Sequence, residues 1–239
     1  MNLKLIIINT LTLIRVIGTI ILIPIYNNYG GFAVAILSLI CYMTDSIDGI
    51  LARGWKSSTF FGALFDGFAD KLFTIFNFIV LFLITPYALI PIILEVLIVL
   101  ILLIKYSNNY NVKSNIIGKT KVWVLALSIV LTFFVSDINS INFLSDAFKI
   151  KILEFDNFKY LLLLLPSIIM EALTLISYIL EMFNPKHLKI LNRENKELIM
   201  PELNGNRWEN FKSIWLNPEF YNEHKDDGSL KKLRKLKNK

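Results

Sequence analysis

Long apolar stretches recur from the beginning of this chain to about residue 184, and they constrain its fold more than any other feature. A helix needs about 20 mainly apolar residues to cross the hydrocarbon core of a bilayer. Of the 239 residues, 55% are hydrophobic and only 18% are charged, unlike the composition of a soluble globular domain. The sequence therefore predicts an all-α, polytopic integral membrane protein.

Turn residues divide the apolar part of the chain into six predicted transmembrane helices. The breaks are Asn-Asn-Tyr-Gly-Gly at 27–31, then Gly54 and Pro86, and Pro185 follows the last helix. The predicted spans are residues 3–26, 32–54, 60–85, 87–106, 118–136 and 159–183.

The distribution of Lys and Arg predicts the orientation, because short basic loops tend to remain in the cytoplasm. With both termini in the cytoplasm, the predicted outer loops near 27–31 and 86 contain no basic residue, and only the loop at 137–158 departs from the pattern. We therefore divide the chain into a six-helix membrane domain at 1–184 and a polar, basic cytoplasmic tail at 185–239.

The tail is open to two interpretations. Its low apolar content is typical of a solvated, partly unstructured extension. Its basic end at 230–239 also suits a peripheral segment held on anionic headgroups. Scattered aromatic residues interrupt the polar sequence, namely Trp208, Phe211, Trp215, Phe220 and Tyr221.

Four aspartates lie inside two otherwise apolar predicted helices, Asp45 and Asp48 in the second and Asp66 and Asp70 in the third. Each charge costs about 2.5 to 3.5 kcal/mol at a helix centre on insertion scales, so four are expensive unless they face a cavity in the protein. Spacings of three and four residues place each pair on one helical face. A short turn would bring the two faces together at the cytoplasmic end.

A cluster of four carboxylates requires compensation. Carboxylates gathered within about 5 Å repel by roughly 3 kcal/mol per pair at an effective dielectric constant near 20. Either some of them are protonated or divalent cations lie among them. Two Mg²⁺ or Mn²⁺ ions would balance four negative charges with the oxygen ligands that hard cations prefer. Gly49 and Gly62 on the same faces leave room for a ligand to approach.

The segment from Asp45 to Asp70 reads D-x-x-D-G-x-x-A-R, then eight residues, then G-x-x-x-D-x-x-x-D. This pattern resembles the signature of the class I CDP-alcohol phosphatidyltransferase family, and the six-helix pattern extends the resemblance to about residue 184. The resemblance implies transfer of a phosphatidyl group from CDP-diacylglycerol to a small alcohol, with release of CMP, in phospholipid biosynthesis. It also implies an active site at the cytoplasmic face of the bilayer.

The resemblance implies a role for each residue of the motif. Asp45, Asp48 and Asp66 would ligate the two Mg²⁺ or Mn²⁺ ions, while Asp70 would complete the metal site and act as general base on the acceptor hydroxyl. The residues expected to bind the CDP-lipid are Asn9, Thr12, Gly49, Ala52, Arg53, Thr59 and Gly62.

Two further segments bear on the acceptor alcohol. Asn9-Thr-Leu-Thr-Leu-Ile-Arg15 and Gly118-Lys-Thr-Lys121 are similar to segments of phosphatidylglycerophosphate and cardiolipin synthases. Arg15, Lys119 and Lys121 are expected to bind a phosphate on the acceptor, which favours glycerol 3-phosphate. Arg15 has an alternative interpretation as an interhelical partner for one of the acids.

Departures from the family pattern leave other acceptors open, among them phosphatidylglycerol, inositol phosphate and serine. Ile8 stands where a proline is expected, and Leu94 stands where an arginine is expected before Glu95.

Glu171 has no motif around it and is predicted to be paired at a helix interface.

Two other classes of protein use similar residues, a catalytically inactive relative and a metal-ion transporter with the same intramembrane acids. A transporter would not require the Ala52-Arg53 pair or Gly62. We expect the lipid bilayer as partner and no nucleic acid, and a homodimer only by analogy with the family.

Overall fold

The computed structural model of the protein describes residues 3–107, 116–183 and 206–224, and all regular structure in these ranges is helical. Two short 3-10 turns lie at Pro86–Ala88 and Ile138–Ser140. The helices are α1 (Leu3–Gly54), α2 (Phe60–Phe82), α3 (Leu89–Ser107), α4 (Ile116–Ser136), α5 (Asp146–Leu153), α6 (Phe158–Phe183), α7 (Arg207–Trp215) and α8 (Pro218–His224). The predicted all-α class is confirmed for these residues.

Helix α1 consists of two arms that meet at Gly30. This residue has φ 78° and ψ −173°, a conformation open to glycine because it lacks a Cβ atom. The end of α4 packs against the kink, where a Cβ on Gly30 would collide with Asp137 and the backbone N–H of Phe32 donates to Asp137 Oδ2 at 3.3 Å. The arms, residues 3–29 and 31–54, correspond to the first two predicted spans.

Four segments of the described chain are long and apolar enough to cross a membrane, Lys4–Ala52, Pro86–Lys105, Ile117–Ser136 and Phe158–Phe183. The first contains both arms of α1. Helix α2 is not one of the four because three charged residues interrupt its apolar sequence, namely Asp66, Asp70 and Lys71. Six spans with cytoplasmic termini therefore stay a prediction.

Apolar side chains on the outer faces of the helices remain exposed, among them Ile20 at 69%, Leu127 at 61% and Leu180 at 63%. Large exposed apolar faces of this kind are typical of surfaces that contact lipid or a partner. With the four long apolar segments, they fit an integral membrane protein.

The helices pack as a bundle in which α1 contacts α2 and α4, and α6 contacts α3 and α4. Leu22, Phe73 and Phe133 are fully buried in its core. The hydroxyl of Ser38 donates to Asn77 Oδ1 at 2.7 Å and joins the second arm of α1 to α2 inside this core. The contact fixes the two helices side by side, with their aspartates toward the same end.

Part of the predicted tail is folded against the beginning of α2. Residues 206–224 contain α7 and α8, and Phe220 is buried against Phe60 at the start of α2. The sequence interpretations do not include this contact. The basic end at 230–239 lies outside the described residues, as does 184–205.

Candidate active site

Three of the four aspartates converge from two helices. Asp45 and Asp48 lie near the end of the second arm of α1, and Asp66 lies in the first turns of α2. One carboxylate oxygen from each lies within 4.8 Å of the others. Asp48 is buried, whereas Asp45 and Asp66 are half-buried. Three carboxylates in this arrangement fit a hard divalent cation such as Mg²⁺ or Mn²⁺.

Arg15, from the first arm of α1, lies among these three carboxylates. Its Nη2 atom is 2.5 Å from Asp45 Oδ1 and 3.0 Å from Asp48 Oδ2, and its Nη1 atom is 3.0 Å from Asp66 Oδ1. The side chain is fully buried, and its Nε atom has no hydrogen-bond partner among the described residues. The geometry is that of an interhelical partner for the acids, and a role in binding acceptor phosphate stays a prediction.

The formal charge of this cluster favours a divalent cation. When all three carboxylates are ionised, they and the one guanidinium leave two negative charges in a partly buried place. Such an excess is costly inside a membrane protein unless a counter-ion meets it. The residues present thus fit a metal ion by donor type, spacing and charge.

Asp70 lies one turn beyond Asp66 along α2 and is partly buried. It is within electrostatic range of Lys71, Arg15 and Asp66, but it is not one of the three residues whose oxygens lie within 4.8 Å of each other. The predicted roles of Asp70 as fourth ligand and general base remain predictions.

The start of α2 brings together three of the residues predicted to bind the CDP-lipid. Thr59 is the N-cap, and its hydroxyl accepts a hydrogen bond from the backbone N–H of Gly62 at 3.0 Å. A Cβ at Gly62 would lie 3.0 Å from Thr59 Oγ1 and 3.7 Å from Asn9 Oδ1. Glycine at 62 therefore leaves a small space between the two polar side chains.

The other predicted CDP-lipid residues are more dispersed. Thr12 is buried, and its hydroxyl bonds back to Ile8 O at 3.3 Å within its own helix. Gly49 and Ala52 are half-buried on the arm that carries Asp48. The side chain of Arg53 lies outside the described residues. Their binding roles stay predictions.

The two lysines predicted to bind acceptor phosphate have different surroundings. Lys119 is exposed near the start of α4. Lys121 is buried, and its Nζ atom is 2.6 Å from Glu95 Oε2 on α3. Glu95 also forms an ion pair with Lys71 of α2. Glu95 thus links three helices, an arrangement that sequence reasoning missed although Lys71 directly follows Asp70.

Glu171 on α6 departs from the sequence prediction. It is fully buried, and neither carboxylate oxygen has a hydrogen-bond partner among the described residues. The prediction that it is paired is therefore wrong at the level of hydrogen bonds. Lys121 and Lys71 lie within electrostatic range of it and favour its charged form, whereas the nearby carboxylate of Glu95 opposes that form.

Comparisons with known proteins agree with the motif. A family model described as CDP-alcohol phosphatidyltransferase matches residues 5–180. A stretch of 69 residues is 42% identical to the CDP-diacylglycerol–glycerol-3-phosphate 3-phosphatidyltransferases of Escherichia coli (strain K12), Escherichia coli O157:H7 and Shigella flexneri serotype 5b (strain 8401). The match covers 26% of this chain and 36% of each relative, so it spans little more than a third of their length.

Proposed function

Because the chain belongs to the CDP-alcohol phosphatidyltransferase family, we propose that it transfers a phosphatidyl group from CDP-diacylglycerol to a small alcohol and releases CMP. The family resemblance predicted from the motif at 45–70 is confirmed, and it places the chain among the phosphotransferases of phospholipid biosynthesis. The observation that most supports this reaction for the chain itself is the convergence of Asp45, Asp48 and Asp66 within 4.8 Å.

Asp45, Asp48 and Asp66 would hold the divalent cations, two in number, at the junction of α1 and α2. When bound, Mg²⁺ or Mn²⁺ supplies positive charge to the diphosphate and to the phosphate that leaves. The packing of α1 against α2 supports this assignment, because the buried hydrogen bond between Ser38 and Asn77 holds together the two helices that carry the carboxylates.

Asp70 would act as general base. Its carboxylate takes the proton from the acceptor hydroxyl, and the hydroxyl oxygen attacks the phosphorus that bears the diacylglycerol. The bond from this phosphorus to the bridging oxygen of the diphosphate breaks, and CMP leaves. The place of Asp70 one turn from Asp66 supports a role beside the metal-binding carboxylates.

The nucleotide end of the substrate would lie at the beginning of α2. The N-terminus of a helix attracts phosphate groups, and Thr59 and Gly62 lie there beside Asn9. Gly49, Ala52 and Arg53 would complete this part of the site from the second arm of α1.

Glycerol 3-phosphate is the proposed acceptor. Support comes from the basic residues Lys119, Lys121 and Arg15 and from the names of the curated relatives, which are glycerol-3-phosphate phosphatidyltransferases. The pairing of Lys121 with Glu95 leaves Lys119 as the more accessible of the two lysines for a phosphate.

A panel of alcohols tests the proposal. The purified protein is incubated with CDP-diacylglycerol, Mg²⁺ and each of glycerol 3-phosphate, inositol phosphate, serine and phosphatidylglycerol, and both CMP and the lipid product are measured. We expect CMP release with glycerol 3-phosphate, loss of it with a chelator and recovery with Mg²⁺ or Mn²⁺. CMP release with another alcohol alone would correct the acceptor, and none with any alcohol would favour an inactive relative or a transporter.

A further inference from the structure

Helices α7 and α8, here called the tail helices, cover the beginning of α2 with aromatic side chains. The ring of Phe60 is edge-on to Phe220 and Tyr221, with ring centroids 6.1 and 5.0 Å apart, and Phe61 lies edge-on to Phe211 at 6.2 Å. Phe60 and Phe220 are 5% and 6% exposed. Edge-to-face pairs of aromatic rings stabilise a contact by more than the apolar area that they bury. The relative orientation of these rings therefore adds to the stability of the contact.

A hydrogen bond extends the contact to the turn between α1 and α2. Asn222 Nδ2 donates to the backbone carbonyl of Lys56 at 2.8 Å. Lys56 has φ 50°, which is uncommon for a residue other than glycine. Such a backbone conformation persists where the surroundings hold it, and Asn222 is one of the groups that hold this one.

The residues fixed in this way adjoin the candidate nucleotide site. Thr59 directly precedes Phe60. The hydroxyl of Thr59 accepts a hydrogen bond from the backbone N–H of Gly62 in the first turn of α2. A shift of Phe60 would move Thr59 with it, since the two are consecutive in the chain. The family model ends at residue 180, so the tail helices lie outside the part of the chain that the family shares.

We propose that the tail helices are a positioning element for the nucleotide end of the CDP-lipid site. Phe220 and Asn222 hold the turn at 55–59 and the first residues of α2 in the conformation that receives the cytidine diphosphate. The identity of the ligand in this inference rests on the proposed function. The contact between the tail helices and α2 does not depend on that function.

The test compares Phe220→Ala and Asn222→Ala in the full-length protein with Phe220→Leu, which keeps an apolar side chain, and with Glu219→Ala, an exposed position directly before Phe220. We expect Phe220→Ala to raise the KM for CDP-diacylglycerol about tenfold, with kcat and the acceptor KM within about twofold of wild type. Phe220→Leu should recover much of the loss, and Glu219→Ala should equal wild type.

Amide hydrogen exchange of the segment 56–63 gives a second readout without turnover. We expect exchange about tenfold faster in Phe220→Ala than in Glu219→Ala, because the turn loses its packing. Unchanged KM and unchanged exchange would overturn the proposal, as would a lower kcat at constant KM. If wild-type protein releases no CMP, the proposed function fails, and the exchange comparison still decides whether the tail helices hold the turn.

Discussion

Arg15 sets the charge that the three aspartates present to a cation. Its guanidinium contacts the same carboxylates that would ligate a metal, at 2.5 to 3.0 Å. Two unit charges about 4 Å apart interact by about 4 kcal/mol at an effective dielectric constant of 20, so this single side chain strongly affects the affinity of the cluster for cations. A metal ion that enters must share these oxygens with Arg15 or displace it.

We expect Arg15→Met, which keeps an unbranched, flexible side chain and removes the charge, to tighten Mn²⁺ binding by about tenfold or more. Titration of Mn²⁺ followed by its electron paramagnetic resonance signal measures the Kd directly. Arg15→Lys keeps a positive charge and serves as the control, and Asp48→Asn should weaken binding because it removes a negative charge from the proposed metal site. Weaker Mn²⁺ binding in Arg15→Met than in wild type would mean that Arg15 supports the ligands more than it competes with the ion.

Asp70→Asn separates the chemistry from metal binding. The substitution keeps the size of the side chain but removes the proton acceptor, so kcat should fall by about 100-fold to 10,000-fold. Mn²⁺ binding should change less than in Asp48→Asn, since Asp70 is outside the group of three oxygens within 4.8 Å. Rates of CMP release and the Mn²⁺ Kd are both measured, and full activity in Asp70→Asn would refute its assignment as base.

At the scale of helices, Glu95 connects α3 to α2 through Lys71 and to α4 through Lys121. Removal of its charge by Glu95→Gln would leave two lysines close together without their shared partner, one of them buried. We expect a loss of about 3 kcal/mol in the free energy of unfolding, because a buried charge without its counter-charge is strongly destabilising. Thermal unfolding in detergent micelles provides the comparison with wild type.

The double variant Glu95→Leu with Lys121→Met removes the buried ion pair and leaves only Lys71, the more exposed of the two lysines, without its partner. Apolar replacements of a buried ion pair are often neutral in stability. The double variant should therefore unfold at a higher temperature than Glu95→Gln. A double variant less stable than Glu95→Gln would show that the ion pair itself stabilises the bundle.

Local periodicity explains which features of these helices could be predicted. The spacing of Asp45 with Asp48 and of Asp66 with Asp70 defines one face on each helix, and a short connection returns the chain beside itself, so the convergence of Asp45, Asp48 and Asp66 follows from the sequence. The glycines at 30 and 31 predict the break in α1, although the helix continues after one residue. Contacts between distant segments carry no comparable local signal. The packing of Phe220 on Phe60 is one of them, and for Arg15 the sequence indicated a partner among the acids but not that it would contact three of them.

For the whole molecule, the structure separates two ends of the bundle. The kink at Gly30 and the end of α4 lie at one end of the second arm of α1, and the aspartates, the turn at 55–59 and the tail helices lie at or beyond its other end. Because the arm at 31–54 is long enough to cross a bilayer, these two ends would face opposite sides of the membrane. The Lys and Arg distribution predicts that the end with the aspartates is cytoplasmic.

Cysteine labelling tests this orientation. Cys41 is buried, and Cys41→Ala provides a background without thiols for Tyr29→Cys, whose parent side chain is 72% exposed, and Gly54→Cys, where a Cβ has no neighbour within 4 Å. A membrane-impermeant maleimide should label Gly54→Cys in inside-out vesicles and Tyr29→Cys in right-side-out vesicles. Labelling of both from one side would mean that the arm at 31–54 does not cross the bilayer. The reverse pattern would place the aspartates at the outer face, away from the side predicted for the nucleotide-linked lipid.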